Sequence, residues 1–225
     1  MWSLSFHRKR GLGRSRAAWV ALRIAMVISP LAARGETQVA AYLGNSWTAR
    51  SDVSLAGRTF PGVAWETRSF QSPPYYGVRA AHFFSEESGW GLALDFFHDK
   101  AYAADGSIAP ALRRLSFSHG LNHVTVDVDW RTRAGPLRPY GGVGAGSLVP
   151  HVETRSDSAS VDEYQWFRGI SAKAQVGVQW RLPGPAGIFL EYRLTFAYLR
   201  VSVPGGDLST WLRTHHLVAG AFVAL

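Results

Sequence analysis

From Glu36 onward the chain alternates apolar and polar residues with a period of two. Trp90, Leu92, Leu94 and Phe96 are interleaved with Ala93 and Asp95, and Asp99 continues the second set. Val124, Val126, Val128 and Trp130 alternate with Thr125, Asp127, Asp129 and Arg131. Ile170, Ala172, Ala174, Val176, Val178 and Trp180 alternate with Ser171, Lys173, Gln175, Gln179 and Arg181. Ile188, Leu190, Tyr192, Leu194, Phe196 and Tyr198 alternate with Glu191, Arg193 and Thr195. Successive side chains of a strand point to opposite faces, so each run predicts a strand with one apolar and one charged face.

A soluble sandwich turns the apolar face inward, whereas a membrane barrel turns it to lipid and keeps polar residues in its lumen. Two features favour the barrel. The runs are long, about ten to sixteen residues against roughly five or six in soluble sheets. Trp90, Trp130 and Trp180 lie on the apolar face beside the short turns 85–89, 132–137 and 183–187, as an interfacial aromatic girdle does. The fold predicted is all-β: an eight-stranded antiparallel transmembrane β-barrel over residues 36–225. Its strands are expected at 37–47, 75–85, 89–101, 115–131, 138–154, 164–182, 187–203 and 210–225. Longer connections are expected at 48–74, 102–114, 155–163 and 204–209. A barrel this narrow is filled by side chains. Arg79, Asp95, Asp127, Asp129, Arg131, Lys173, Glu191 and Arg193 are expected to fill it as mutually paired charges. Gly141, Gly142, Gly144 and Gly146 fall within a strand and are expected to permit close packing or curvature. The last strand ends on the register of Leu217, Ala219, Ala221 and Val223, with Phe222 near the end.

Charge changes the picture only at the start of the chain. Residues 1–35 carry seven of the 24 basic residues and no acidic one, which leaves 17 basic residues against 16 acidic in the remainder. Seven of the eight net positive charges therefore belong to the leader, and the balance of the remainder argues against a nucleic-acid surface. The basic stretch from His7 to Arg16, the apolar stretch from Ala17 to Leu31 and small residues at Ala33 and Gly35 predict a cleavable signal peptide over 1–35. No later segment offers the roughly 20 apolar residues of a membrane helix. With no Cys, disulfides and thiolate metal sites are excluded. The cell outer membrane is the expected place, with membrane lipid and the outer-membrane assembly machinery as partners.

Following strand direction from the short turns gathers polar chemistry at the opposite, extracellular end. The third strand rises to His98, Asp99 and Lys100, and the fourth descends from His119, Asn122 and His123. The fifth rises to His151 and Glu153, and the sixth descends from Asp162, Glu163, Tyr164 and Gln165. Imidazole beside carboxylate is equipment for general acid–base catalysis or for holding a hard metal. His151 and Glu153 are two apart and share a face. His82, His215 and His216 lack partners in the sequence and are read as structural. No phosphate-cradling glycine loop and no G-x-S-x-G elbow is present.

Several of these segments resemble the bacterial lipid A oxidases. They are Trp65-Glu-Thr-Arg-Ser-Phe70, Pro73-Pro-Tyr-Tyr-Gly-Val-Arg79, Asp95-Phe-Phe-His-Asp-Lys100 and Leu115-Ser-Phe-Ser-His-Gly-Leu-Asn122. Pro139-Tyr-Gly-Gly-Val-Gly-Ala-Gly146, Pro150-His-Val-Glu153 and Glu163-Tyr-Gln165 follow in the same order. The resemblance implies an outer-membrane enzyme acting on lipid A in the outer leaflet. Molecular oxygen would oxidise the anomeric carbon of the proximal glucosamine to an aminogluconate unit, with hydrogen peroxide as the other product. Carried over residue by residue, it points to His98, His151, Glu153 and Glu163 as catalytic groups. Lys100, Asn122, His119 and Gln165 become substrate-binding groups; His119 stands where an acidic residue is expected. His151 or Glu153 would serve as base, while Lys100 and rim arginines hold phosphates. Histidine and carboxylate accept no electrons, so a cofactor is implied; a divalent metal of unknown identity is the simplest choice.

Two other readings share the fold. One is a non-catalytic barrel, structural or adhesin-like. The other is a lipid A deacylase, for which Ser116 or Ser147 would have to be activated by a histidine. The leader carries the first testable expectation. N-terminal sequencing of the purified membrane form should begin at Glu36, and a retained Met1 would count against secretion.

Overall fold

The computed structural model of the chain describes residues 35–85, 88–132 and 135–225. Apart from Gly35, the expected signal peptide lies outside them. Among the described residues the chain forms twelve strands and no helix. Eight of them close a ring: β1 (Glu36–Thr48), β5 (Tyr76–Phe83), β6 (Trp90–Ala103), β7 (Arg114–Arg131), β8 (Leu137–Arg155), β10 (Gly169–Arg181), β11 (Ala186–Val203) and β12 (Gly206–Ala224). Each pairs antiparallel with the next, and β12 returns to β1 from Gln38↔Ala224 to Thr48↔Thr214. Closure leaves no edge, the condition for a sheet to exist in hydrocarbon.

The other four strands build up the end opposite the short turns. β2 (Ser51–Leu55) and β3 (Arg58–Val63) form a hairpin that joins β12 through Leu55↔Leu208. β4 (Trp65–Glu66) pairs with β6, and β9 (Ser160–Tyr164) folds back onto β8. Three sequence expectations are corrected here. The connection 48–74 is largely strand rather than loop. The expected connection 155–163 holds most of β9, and the strand expected from 164 begins only at Gly169, after Phe167 takes a positive φ of 54° that a strand ladder does not accommodate. The connection 204–209 is only the turn at Pro204–Gly205, since β11 and β12 pair as far as Val203↔Gly206; Gly205 supplies the positive φ of that turn.

Facing follows the alternation. Leu92, Leu94, Val126 and Val176 are exposed to the outside, and Val178 is half-buried. Trp90, Trp130 and Trp180 ring the short-turn end on the same outer face. All eight predicted lumen residues are buried. Asp95 accepts from Arg79 at 3.1 Å and meets Arg193 at 3.2 Å and the Lys173 ammonium. Glu191 pairs with Arg79 at 2.9 Å and Arg193 at 2.7 Å, and Asp127 pairs with Lys173 at 2.8 Å. Lower down, Glu36 binds Arg131 at 2.8 Å and Arg181 at 2.6 Å. Gly142 and Gly144 face this network: a Cβ on either would come within 2.0 Å of an Asp129 or Asp127 carboxylate oxygen. The glycine-rich strand makes room for the buried acids.

The polarity of the wall then reverses along the strands. Low on β11 the inward residues are Glu191 and Arg193, and Leu190 and Tyr192 face out. Higher up, Leu199, Val201 and Val203 are buried inside, while Arg200 and Ser202 face out. The buried apolar cluster at this end also takes in Val53, Phe60, Phe117, Leu121, Leu148 and Leu208. Inverted polarity belongs to the part bathed in lipid and ordinary polarity to the part bathed in water. The switch marks where the outer leaflet ends. An outer-membrane barrel capped by an apolar dome is the architecture.

Arg in place of Val126 should destabilise the barrel by about 2–4 kcal/mol, because it meets lipid near mid-span. Asp95→Ala should cost about 3–5 kcal/mol by leaving buried cations unpaired. Urea unfolding in lipid vesicles measures both, and a harmless Val126→Arg would show that this face does not meet lipid.

Candidate functional site

On β6 the outward residues run Trp90, Leu92, Leu94, Phe96 and then His98. On β7 they run Trp130, Val128, Val126, Val124 and then Asn122. His98 and Asn122 are thus the first outward polar side chains above the apolar band, and they are cross-strand partners. Asn122 Nδ2 donates to the carbonyl of Val149 at 3.0 Å, which fixes its amide. Its Oδ1 therefore accepts from His98 Nδ1 at 3.0 Å. That tautomer leaves the lone pair on His98 Nε2, which is buried and has no partner among the described residues. Tyr76 stacks on the His98 ring at 5.1 Å. Although on the outward register, His98 is covered, with 2% of its surface exposed.

A second imidazole stands beside it. Between Ser116 and Leu121 the pairing of β7 with β8 slips, and the extra residues form a bulge around Gly120, whose φ is +104°. A Cβ at Gly120 would sit 2.1 Å from His98 Nδ1, so only glycine fits this approach. The bulge carries His119 over β8, where its ring lies 4.6 Å from that of His151. Tyr164 closes the other side of His151 at 4.5 Å, and its hydroxyl donates to the His119 carbonyl at 3.4 Å. His151 Nε2 faces Asp162 Oδ1 at 3.3 Å. Its Nδ1 is buried without a partner among the described residues. Burial first, and the neighbouring His119 second, hold the His151 pKa below the ordinary histidine value, which favours the neutral ring.

Glu153 lies two residues farther along the same outward face. It pairs with Arg114 at 3.1 Å and accepts from Ser116 at 3.2 Å. Its charge is already used, which leaves His151 as the better base.

The structure therefore joins His98, Asn122, His119, His151 and Glu153 and separates three other predicted residues from them. Lys100 sits at the β6 bulge, buried, and its ammonium donates to the carbonyl of Gln71 at 2.9 Å. Glu163 pairs with Val152, which points inward, so it occupies the face of β9 opposite His151. Gln165 bonds Glu163 at 3.1 Å and clasps the Ser202 backbone at 2.7 and 2.8 Å, tying this segment to β11. The histidines read as partnerless have partners: His82 meets Thr37 at 3.0 Å, His215 meets Tyr192 at 2.6 Å and His216 meets Thr195 at 2.9 Å.

Sequence reasoning missed two arrangements. Tyr76 owes its place on His98 to cross-strand register, Tyr76↔His98, which alternation alone does not give. Ser171, His123 and Asp99 form a hydrogen-bonded line of 2.8 and 3.3 Å, the order of groups in a serine hydrolase. All three are buried in the lumen, and Phe97 stacks on His123 at 4.2 Å. A lipid ester has no path to this serine. Ser116 donates to a carboxylate and Ser147 to the Gly169 carbonyl at 3.5 Å, so neither is activated by a histidine. Among the described residues no three His, Asp or Glu side chains gather as a metal site.

No protein-family model matches the chain, and no curated protein sequence matches it. Solved structures of similar fold include Neisserial surface protein A, at 15% identity and a TM-score of 0.44, covering 84% of this chain and 96% of that one. The outer membrane protein OprG from Pseudomonas aeruginosa is 12% identical with a TM-score of 0.48, covering 85% and 96%. Ail, the attachment invasion locus protein of Yersinia pestis, is 15% identical with a TM-score of 0.36, covering 82% and 99%.

The imidazole pair carries an expected titration. By nitrogen NMR of the folded barrel, His151 should be neutral at pH 7 and titrate below about 6.5. His119→Ala should move that titration upward by removing one of the two causes that hold it down. A wild-type His151 that titrates above the ordinary value would refute the assigned environment.

Proposed function

We propose that this barrel is a lipid A oxidase, which converts the proximal glucosamine of lipid A to aminogluconate with molecular oxygen. The observation that carries the reading is the outward cluster of His98, Asn122, His119, His151 and Glu153 at the height where the apolar band ends. A glycolipid in the outer leaflet presents its sugar headgroup at that height, beside the wall, and never has to enter a packed lumen.

The chemistry needs a base and a receiver for two electrons. His151, neutral and with an unpartnered Nδ1 lone pair, takes the proton of the anomeric hydroxyl once the headgroup displaces the exposed His119 and Tyr164 rings packed on it. Asp162 stabilises the imidazolium that forms, as a carboxylate partner does for a general base. Asn122 holds His98 in the tautomer whose Nε2 faces away from it, and the Tyr76 ring covers that imidazole. The anomeric carbon loses its hydrogen and two electrons and becomes a lactone carbonyl. Oxygen takes up the two electrons and two protons as hydrogen peroxide, and water opens the lactone to the aminogluconate. Electron transfer to oxygen is the step a metal or organic cofactor would supply. The described residues bring no three His, Asp or Glu side chains together as a metal site. Lipid A and the surrounding membrane lipid are the partners this reading requires.

Mass spectrometry of lipid A from cells with and without the chain tests the proposal. Gain of one oxygen atom is expected. Loss of an acyl chain would indicate deacylation, and no change would favour a structural or adhesin-like barrel. His151→Ala should lower oxidation by about 10²–10⁴-fold while the barrel still assembles. In the wild type, activity should hold through neutrality and fall only as pH drops through the lowered His151 pKa, where the base becomes protonated.

A further inference from the structure

Above the imidazole cluster, on the same outward face, lies a cleft of about 470 Å³. Arg68, Arg113, Arg114 and Arg155 line it, with Tyr102 and Ser116 between them. The register explains the crowding. Arg114 and Arg155 are direct cross-strand partners of β7 and β8, and like charges placed opposite each other are unfavourable. Arg68 reaches in from the first connection with its Cζ over the Tyr102 ring, 4.2 Å from the centroid, a contact that favours one placement of its guanidinium.

Carboxylates pair with three of the four arginines, and a fourth carboxylate stands nearby without an ion pair to any of them. Glu66 meets Arg68 at 3.3 Å, Glu153 meets Arg114 at 3.1 Å, Asp157 pairs with Arg113, and Asp105 lies in the lining. Arg155 has no ion pair among the described residues. All four arginines retain solvent exposure. They converge on one cavity with planar forks that suit a bidentate oxyanion.

We infer that this cleft binds an anionic group carried by the headgroup of an outer-leaflet glycolipid, a phosphate in the first instance. The inference rests on the function proposed above and names a subsite of the same site. Glu153 links the two parts: it touches Arg114 and Ser116 of the cleft and lies two residues, about 7 Å along a strand, from His151. An anion held by Arg155 and Arg68 would anchor the headgroup while another part of it lies against His151. The anion cannot sit on the carbon being oxidised, because that carbon needs a free hydroxyl. It belongs to a different position of the sugar headgroup.

The test uses the full barrel in lipid nanodiscs and reads binding without activity. Lipid A bearing phosphate, the same lipid A with phosphates removed, and inorganic phosphate alone are titrated in parallel. The wild type should prefer the phosphorylated lipid by about tenfold or more, the worth of one charge-assisted contact. The double variant Arg68→Gln, Arg155→Gln should lose that preference and keep its affinity for the dephosphorylated lipid. A preference unchanged in the folded double variant would overturn the cleft. Inorganic phosphate bound as tightly as the lipid would assign the cleft to a soluble anion and overturn the lipid part. A wild type that binds the two lipids equally would overturn the cleft while leaving the imidazole cluster intact. A wild type that binds neither would overturn both readings.

Discussion

A strand in hydrocarbon must have every backbone group paired, so eight strands close on themselves and the charges of their polar face are left inside. Pairing those charges is the condition on which the molecule stands. Asp95 answers three cations, Arg79, Lys173 and Arg193, drawn from three different strands. Glu191 binds two of the same three. Tyr42 and Tyr140 add hydroxyl donors to Asp95 and Glu191 at 2.5 and 2.7 Å. Such a network rewards only the correct register, because a slip of one residue would carry the whole charged set to the lipid side. The glycines of β8 belong to the same constraint, since larger side chains there would displace the acids.

Where the surroundings change from lipid to water, the wall changes polarity, and the candidate chemistry sits on that line. Below it, an outward polar group would be stranded in hydrocarbon. Above it, the interior can be apolar, and the hairpin β2–β3 with the upper parts of β11 and β12 fills it. His98, Asn122 and His151 stand on the outward register at the height where the apolar band gives way to polar residues. The imidazoles of His98 and His151 each have one nitrogen held by a neighbour, Asn122 for the first and Asp162 for the second, and the other without a partner among the described residues.

Bulges bring the two imidazoles together. An undisturbed β7 would continue its alternation past Asn122. The slip between Ser116 and Leu121 instead turns His119 onto His151 and lets Gly120 fit against His98. Bulges re-aim side chains in this way at the rims of barrels. The slip between Asp99 and Ala101 on β6 has the opposite result for Lys100, which ends up buried against the first connection.

The alternation of residues such as Leu92, Leu94, Val126 and Val176 against Asp95, Asp127 and Lys173 determined the barrel, its lipid face and its lumen, because period two is a local property of every strand. The height of His98, Asn122, His119, His151 and Glu153 could also be read, since strand direction follows from counting back to the short turns. Alternation puts Asn122, His98 and Lys100 on the outer face; the structure keeps the first two on that register, and the slip in β6 buries Lys100. Alternation said nothing definite of His151 and Glu153, whose strand is rich in glycine and has no clear period. Only the tertiary structure decided that they face outward, that Glu163 and Gln165 belong to the other side, and that Lys100 serves a loop. Those outcomes depend on bulges, on the turn at Phe167 and on cross-strand register, which arise from contacts between residues far apart in the chain. The four arginines of the upper cleft come from three separate segments for the same reason, and no spacing in the sequence announces them.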